Sequence, residues 1–177
     1  MLDCATMYKN EELVGEAVER AISEGHVTRE EIFIVTKLWM TDFHDPEAAL
    51  RLSLQKLRTS YVDLYLIHWP AGFLMPDPKY HVPVHVLWRK FEEMHGAGLT
   101  RSLGVSNFNL QMMADLLCYC QVKPVCNEVE LNPALIQAEL CRFMKAQNIV
   151  PIAYCPVSRL GTQENAHLQA ESFQAIC

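Results

Sequence analysis

Four residues able to hold or trade a proton, Asp3, Tyr8, Lys37 and His68, each fall at or just beyond the C-terminal end of a short apolar run. Asp3 and Tyr8 come from Leu2-Asp3-Cys4-Ala5 and the turn after it. Lys37 ends Ile32-Phe33-Ile34-Val35-Thr36, and His68 ends Val62-Asp63-Leu64-Tyr65-Leu66-Ile67. If these runs are parallel strands, their C-terminal ends open on one face, where strand-to-helix loops build active sites. A carboxylate, a phenol, an ammonium and an imidazole gathered there are the parts of a proton-transfer centre. Singly, each has a plainer reading: a Tyr packed with its hydroxyl at the surface, a solvated Lys or His, an Asp capping the next helix.

The elements that must position these groups alternate. Residues 10–25 space Leu13, Val14, Ala17, Val18, Ala21 and Ile22 as an amphipathic helix, with Gly25 as its stop. The run 32–36 lacks polar alternation and reads as a buried strand. Residues 46–58 open on Pro46 and carry Leu50, Leu54 and Leu57 along one stripe. After the strand 62–67 comes a segment with Pro70, Pro76, Pro78 and Pro83, a candidate substrate loop. Residues 84–96 predict a helix with Val84, Leu87, Trp88, Phe91 and Met94 inward. Strand 101–105, helix 109–120, strand 125–129, helix 135–147 and strand 150–154 complete the series. Six strands, the first a stub at 1–5, therefore alternate with helices, which argues a parallel sheet, either doubly wound or a (β/α)8 barrel. A doubly wound nucleotide-binding sheet calls for a glycine-rich turn after its first strand. Cys4-Ala5-Thr6-Met7-Tyr8 contains no Gly, so the barrel is favoured.

Composition narrows the function classes. The chain has 177 residues, 50% of them hydrophobic, enough for one domain with a substantial core. A net charge of −6 with scattered Lys and Arg argues against a nucleic-acid partner. No stretch reaches the ~18 apolar residues of a membrane span, and no signal peptide is visible at the start. Seven Cys spread through strand-like and helix-like segments suit reduced thiols in a cytoplasmic protein. No metal site is expected. His81 and His85 have helical spacing but are separated by Pro83, and Cys118 and Cys120 match no zinc knuckle.

With these residues in hand, the chain resembles the aldo-keto reductase family. The strings that carry the resemblance are Asp3-Cys4-Ala5 with Tyr8 and Asn10-Glu11, Thr36-Lys37-Leu38-Trp39, and Asp63-Leu64-Tyr65-Leu66-Ile67-His68-Trp69-Pro70. They continue with Gly104-Val105-Ser106-Asn107-Phe108-Asn109, Asn127-Glu128-Val129-Glu130 and Ala153-Tyr154-Cys155-Pro156, in family order over roughly residues 2–160. The resemblance implies a (β/α)8 TIM barrel, here incomplete: about six βα units, with the first and eighth strands missing. Residues 1–160 would form the partial barrel and 161–177 a poorly defined tail.

It also implies NAD(P)H-dependent reduction of aldehydes or ketones to alcohols. Tyr8 would donate the proton and Lys37 would lower its pKa from the usual value of about 10. Asp3 would hold Lys37 charged and oriented, and His68, as neutral imidazole, would orient the carbonyl. Ser106 and Asn107 resemble the pair that binds the nicotinamide carboxamide, and Tyr154 the aromatic that stacks on the ring. Glu128 stands where the family often has Gln; a carboxylate accepts from the carboxamide NH2 but donates nothing to its carbonyl. Backbone amides from Cys155 to Arg159 would approach the pyrophosphate. Met7, Trp39, Trp69 and Phe73 would line an apolar substrate pocket. NADPH is the expected cofactor, NADH is not excluded, and the partner is a small carbonyl compound. An alternative stays open: a truncated, catalytically inactive relative that acts as a cofactor-sensing or interaction protein.

Overall fold

The computed structural model describes residues 1–157, so the expected tail 161–177 and the backbone of Ser158 and Arg159 lie outside the described residues. Six strands form one sheet in which every neighbouring pair is parallel and the spatial order is the chain order. They are β1 (Leu2–Asp3), β2 (Ile34–Leu38), β3 (Leu64–Ile67), β4 (Leu103–Ser106), β5 (Cys126–Glu130) and β6 (Val150–Tyr154). Five helices intervene: α1 (Glu11–Ser23), α2 (Pro46–Lys56), α3 (Val84–Gly96), α4 (Leu110–Tyr119) and α5 (Ala138–Ala146). This is the expected incomplete (β/α)8 barrel.

The two faces of the sheet have different jobs. Ile34, Leu38, Tyr65, Ile67, Leu103, Val105 and Val129 join one large core with the helices, including Leu50, Leu54, Leu87, Phe91 and Met113. Within it Phe91 lies between two rings, stacked on Tyr65 at 4.7 Å and on Trp88 at 5.9 Å between centroids. Each such burial contributes roughly 1.5–3 kcal/mol, so this helix-covered side carries most of the stability. The opposite face holds a small apolar cluster of Val35, Leu64, Leu66 and Cys126. Above that cluster Lys37 of β2 meets Glu128 of β5 at 3.5 Å, although two strands separate them in the sheet. A flat sheet would hold these strands about 14 Å apart. The sheet is therefore curled, and the small cluster lies inside the curve.

Local chemistry explains the boundaries. Asp45 caps α2 by accepting from the Ala48 amide, with Pro46 in the first turn, and Asn109 caps α4 by accepting from the Met112 amide. At the end of α1, Gly25 takes φ +74°, its amide bonds the Ile22 carbonyl, and the His26 amide reaches Ala21. This left-handed closure is what the Gly25 stop predicts. Gly15 has a different reason to be glycine: a Cβ there would sit 2.2 Å from the Lys56 carbonyl oxygen, so α1 and α2 approach backbone to backbone.

Several boundaries move by two or three residues, β4 starting at Leu103 and α5 at Ala138, and two differences bear on the site. The strand expected at 32–36 runs from Ile34 to Leu38, with Phe33 exposed. Thr28 and Glu31 form a capping box around a short 3-10 turn at Arg29–Glu31, and Ile32 closes that turn with its amide on the Arg29 carbonyl, which delays the start of the strand. Lys37 consequently lies within its strand, one residue before its end. Leu13, expected on the inner stripe of α1, is exposed, and its place at the interface is taken by Glu11, Gly15 and Val18.

Candidate active site

Parallel strands deliver the four sequence-selected groups to one end of the sheet. Lys37 points into the curve, and its side chain has no solvent exposure. Its ammonium donates to an Asp3 carboxylate oxygen, to the Cys4 carbonyl at 3.2 Å and to the Tyr8 hydroxyl at 3.5 Å. It also lies 5.1 Å from the centroid of the Tyr8 ring. Burial alone would push this ammonium down, but the bond to Asp3 and the field of Glu128 outweigh it and hold Lys37 above the usual lysine value.

Tyr8 sits on a 3-10 turn, Thr6–Tyr8, that continues from β1. The turn is pinned by Thr6, whose hydroxyl donates to the Lys37 carbonyl, and it closes on Lys9 at φ 55°. Tyr8 is 46% exposed, so a hydroxyl in contact with a buried cation still faces the cleft. His68 follows β3, with its amide bonded to the Leu38 carbonyl. Its ring lies edge-on to Tyr8 at 5.8 Å and to Trp39 at 5.0 Å. Burial, and secondarily the Lys37 charge, push the His68 imidazole down to about 4. It is therefore neutral near pH 7. Its Nδ1 is buried with no hydrogen-bond partner among the described residues.

The cofactor candidates form a linked row beside these groups. Asn107, with φ 61°, donates from Nδ2 to the His68 carbonyl and to Ser106 Oγ. Ser106 Oγ donates to the Glu128 carbonyl, and Tyr154 donates its hydroxyl to Asn107 Oδ1 at 2.7 Å. Tyr8, His68, Trp69, Ser106, Asn107, Glu128, Tyr154 and Cys155 line one open cleft of about 320 Å3. That volume lies at the small end of the ~300–1,000 Å3 range of small-molecule sites. A planar heteroaromatic ring fits this wall. Tyr154 offers an aromatic face, while Asn107 Oδ1 and the Glu128 carboxylate can accept from an amide NH2. Both Asn107 Nδ2 hydrogens are already committed to protein oxygens, so the amide's own carbonyl finds its donors elsewhere.

The substrate candidates divide. Trp69 lines the cleft and Trp39 backs His68, whereas Met7 and Phe73 stand 51% and 67% exposed, outside the lining. Sequence reasoning placed Glu128 at the cofactor but not against Lys37, and it missed Glu11. Glu128 is a second carboxylate on Lys37, 5% exposed, and burial raises its carboxyl above the usual range against the lowering pull of Lys37. Glu11, 2% exposed, accepts from Thr36 Oγ1 at 2.7 Å and Ser53 Oγ at 3.2 Å, locking α1 and α2 to the strand that carries Lys37. A charged first residue in an amphipathic helix gave no sign of being buried. Among the described residues no cluster of His, Cys, Asp or Glu could hold a metal ion, and no helix is long and apolar enough to cross a membrane.

Comparison with known proteins decides the family. A sequence model of the Aldo/keto reductase family matches residues 1–174. The chain belongs to the aldo-keto reductase family. It is 42% identical to aldo-keto reductase family 1 member C21 of Mus musculus, over 91% of this chain and 54% of that protein. Methylglyoxal reductase DkgA of Yersinia pestis is 41% identical over 90% of this chain and 54% of its own. Among solved structures, a Bombyx mori aldo-keto reductase in complex with NADP superposes with a TM-score of 0.83 at 37% identity. That match covers 91% of this chain and 54% of the other. The chain spans about half the length of the curated relatives it matches.

Proposed function

We propose that this chain reduces small aldehydes or ketones to alcohols with NADPH. One observation carries the reading: a half-exposed phenol, Tyr8, held 3.5 Å from a fully buried ammonium, beside a neutral imidazole in the same cleft. Carbonyl reduction needs a proton on oxygen where negative charge develops. Tyr8 supplies that proton, and the Lys37 ammonium stabilises the phenolate left behind. Asp3 keeps Lys37 charged and aimed, because Lys37 has too little room to turn away. His68, neutral and edge-on to Tyr8, accepts no proton near neutral pH and serves to orient the carbonyl oxygen.

Bound nicotinamide cofactor would supply the hydride. Tyr154, Asn107, Ser106 and Glu128 are the residues placed to hold its ring. The complex of the Bombyx mori relative with NADP, and the yeast relative named glycerol 2-dehydrogenase (NADP(+)), support NADPH as the form used. Trp69 offers an apolar wall to the substrate, with Trp39 behind His68, and Met7 and Phe73 are exposed side chains that a bound substrate would have to recruit. The six cysteines of the described residues are all free thiols, which suits a reducing cytoplasm.

The test uses the 177-residue chain, NADPH and an aromatic aldehyde. NADPH fluorescence should change on binding, and aldehyde should then consume NADPH. Cofactor binding with no aldehyde-dependent consumption would remove the enzymatic reading and favour a cofactor-binding role. No binding at all would remove both.

A further inference from the structure

The charges at the floor of the cleft do not cancel. Lys37 contributes one positive charge, and it is contacted by two carboxylates, Asp3 and Glu128. His68 adds no charge near neutral pH, since its imidazole is pushed down to about 4. The group therefore carries one excess negative charge. Asp3, with a 40% exposed side chain, is partly screened by water, whereas the Glu128 side chain is 6% exposed and lines the cleft. With glutamine at position 128, the residue the family resemblance implies there, the same group would be neutral. Among the described residues Lys37 is the one side chain that ion-pairs with the Glu128 carboxylate, through Oε2, which leaves Oε1 to face a ligand.

We propose that Glu128 makes this site discriminate between the redox states of a nicotinamide cofactor, favouring the oxidised, positively charged ring. The inference rests on the carbonyl-reducing reading above. A ring that delivers hydride to a carbonyl held by Tyr8 and His68 must lie in the cleft that Glu128 lines. The oxidised ring carries a full positive charge and the reduced ring none, while the rest of the cofactor is unchanged. A buried carboxylate near the ring thus stabilises one form selectively. One unit charge a few ångströms away, at an effective dielectric of about 20, shifts such a balance by about tenfold or more. By linkage, the equilibrium between bound forms is drawn towards the oxidised cofactor by the same factor. On the protein, the glutamate would therefore pull the hydride-transfer step towards carbonyl reduction relative to a glutamine-bearing site, because that step leaves the oxidised ring behind.

The experiment measures dissociation constants of the 177-residue chain for both cofactor forms: NADPH by fluorescence titration and NADP+ by displacement of NADPH. In Glu128→Gln, the ratio Kd(NADP+)/Kd(NADPH) should rise about tenfold, chiefly through weaker NADP+ binding. A second measurement uses the unaltered chain and holds even if the variant folds poorly. Lowering the pH should raise the same ratio as Glu128 takes up a proton, which burial makes it do at higher pH than an ordinary glutamate. The titratable groups around Glu128 are Asp3, Lys37 and Cys126, with Tyr8, His68, Tyr154 and Cys155 in the same cleft lining. The cofactor phosphates titrate alike in both forms and cancel in the ratio. A folded Gln variant with an unchanged ratio, or a pH-independent ratio in the unaltered chain, would overturn the inference and leave the reductase reading standing. Failure to bind either form would overturn that reading, and the inference with it.

Discussion

Two buried clusters of charge sit at opposite ends of the same sheet, and they are built on different rules. At the N-terminal ends of the strands, Asp63 has every demand met. Its carboxylate accepts from the Ile34 amide at 2.9 Å, from Arg29 at 3.0 Å and from Arg101 at 3.3 Å. Both guanidinium groups lie 4.1 Å from the centroid of the Tyr61 ring, which holds them in place. At the C-terminal ends, one ammonium serves two carboxylates and a buried imidazole nitrogen has no partner among the described residues. Positive φ marks both ends, at Lys9, Asn107 and Cys155 here and at Arg58 and Asn148 opposite, where the Tyr61 hydroxyl is the one unpaired group beside Asp63 among the described residues. An ammonium shared between two carboxylates and a buried, unpaired imidazole nitrogen cost stability, and such groups persist where something else requires them. The satisfied end stabilises the sheet. The Lys37 end is where we propose that a ligand completes the structure, as the carboxyl ends of a parallel barrel lead one to expect.

The contrast can be broken from either side. Lys37→Met should have the largest effect on the upper cluster, cutting turnover by roughly 10^2- to 10^4-fold, the range of a lost acid–base contribution. Steady-state NADPH consumption reads this directly, and a variant within threefold of the parent would show that the ammonium does not support Tyr8. Asp63→Asn attacks the lower cluster. It leaves the mostly buried Arg29 without a counter-charge and should cost about 3 kcal/mol in denaturant unfolding. Its NADPH affinity, measured on the folded fraction, should stay within about twofold. A stability loss below about 1 kcal/mol would mean the lower cluster is not the structural anchor described.

A smaller effect comes from pH. The folded chain holds His68 down to about 4 from the ordinary 6.5, so between those values the unfolded state binds the extra proton. Stability from this group is therefore complete above pH 6.5 and falls as pH drops through the window towards 4. Replacing His68 by Gln should flatten that part of the stability–pH curve. An NMR titration of the His68 ring with a midpoint near 6.5 would contradict the buried, neutral imidazole.

What the sequence revealed follows the same division. Helix α3 matches its expected span, because Pro83 fixes where it starts and Gly98, at φ +76°, where it stops. Both signals are local. Strand β2 was displaced by two residues because Thr28 and Glu31 cap a turn that the apolar run conceals, although their spacing was visible. The four proton-handling residues were legible because parallel strands bring their carboxyl ends together whatever the details of packing. Glu128 reaching Lys37 was not legible: strands β2 and β5 are not neighbours, and only the curl of the sheet closes that distance. Glu11 stayed hidden for a similar reason, since its hydroxyl partners come from β2 and α2, 25 and 42 residues away.

The central claim is that the upper cluster exists to make Tyr8 a proton donor. The most direct test is Tyr8→Phe, which removes the hydroxyl and its 3.5 Å contact with Lys37 but leaves the Lys37 bonds to Asp3 and Cys4 and the edge-on ring contact with His68 in place. Aldehyde-dependent NADPH consumption should fall by at least about 10^3-fold, while NADPH affinity and unfolding midpoint stay within error of the parent. Turnover equal to the parent, with the cofactor still bound, would show that the proton comes from another group and contradict this account.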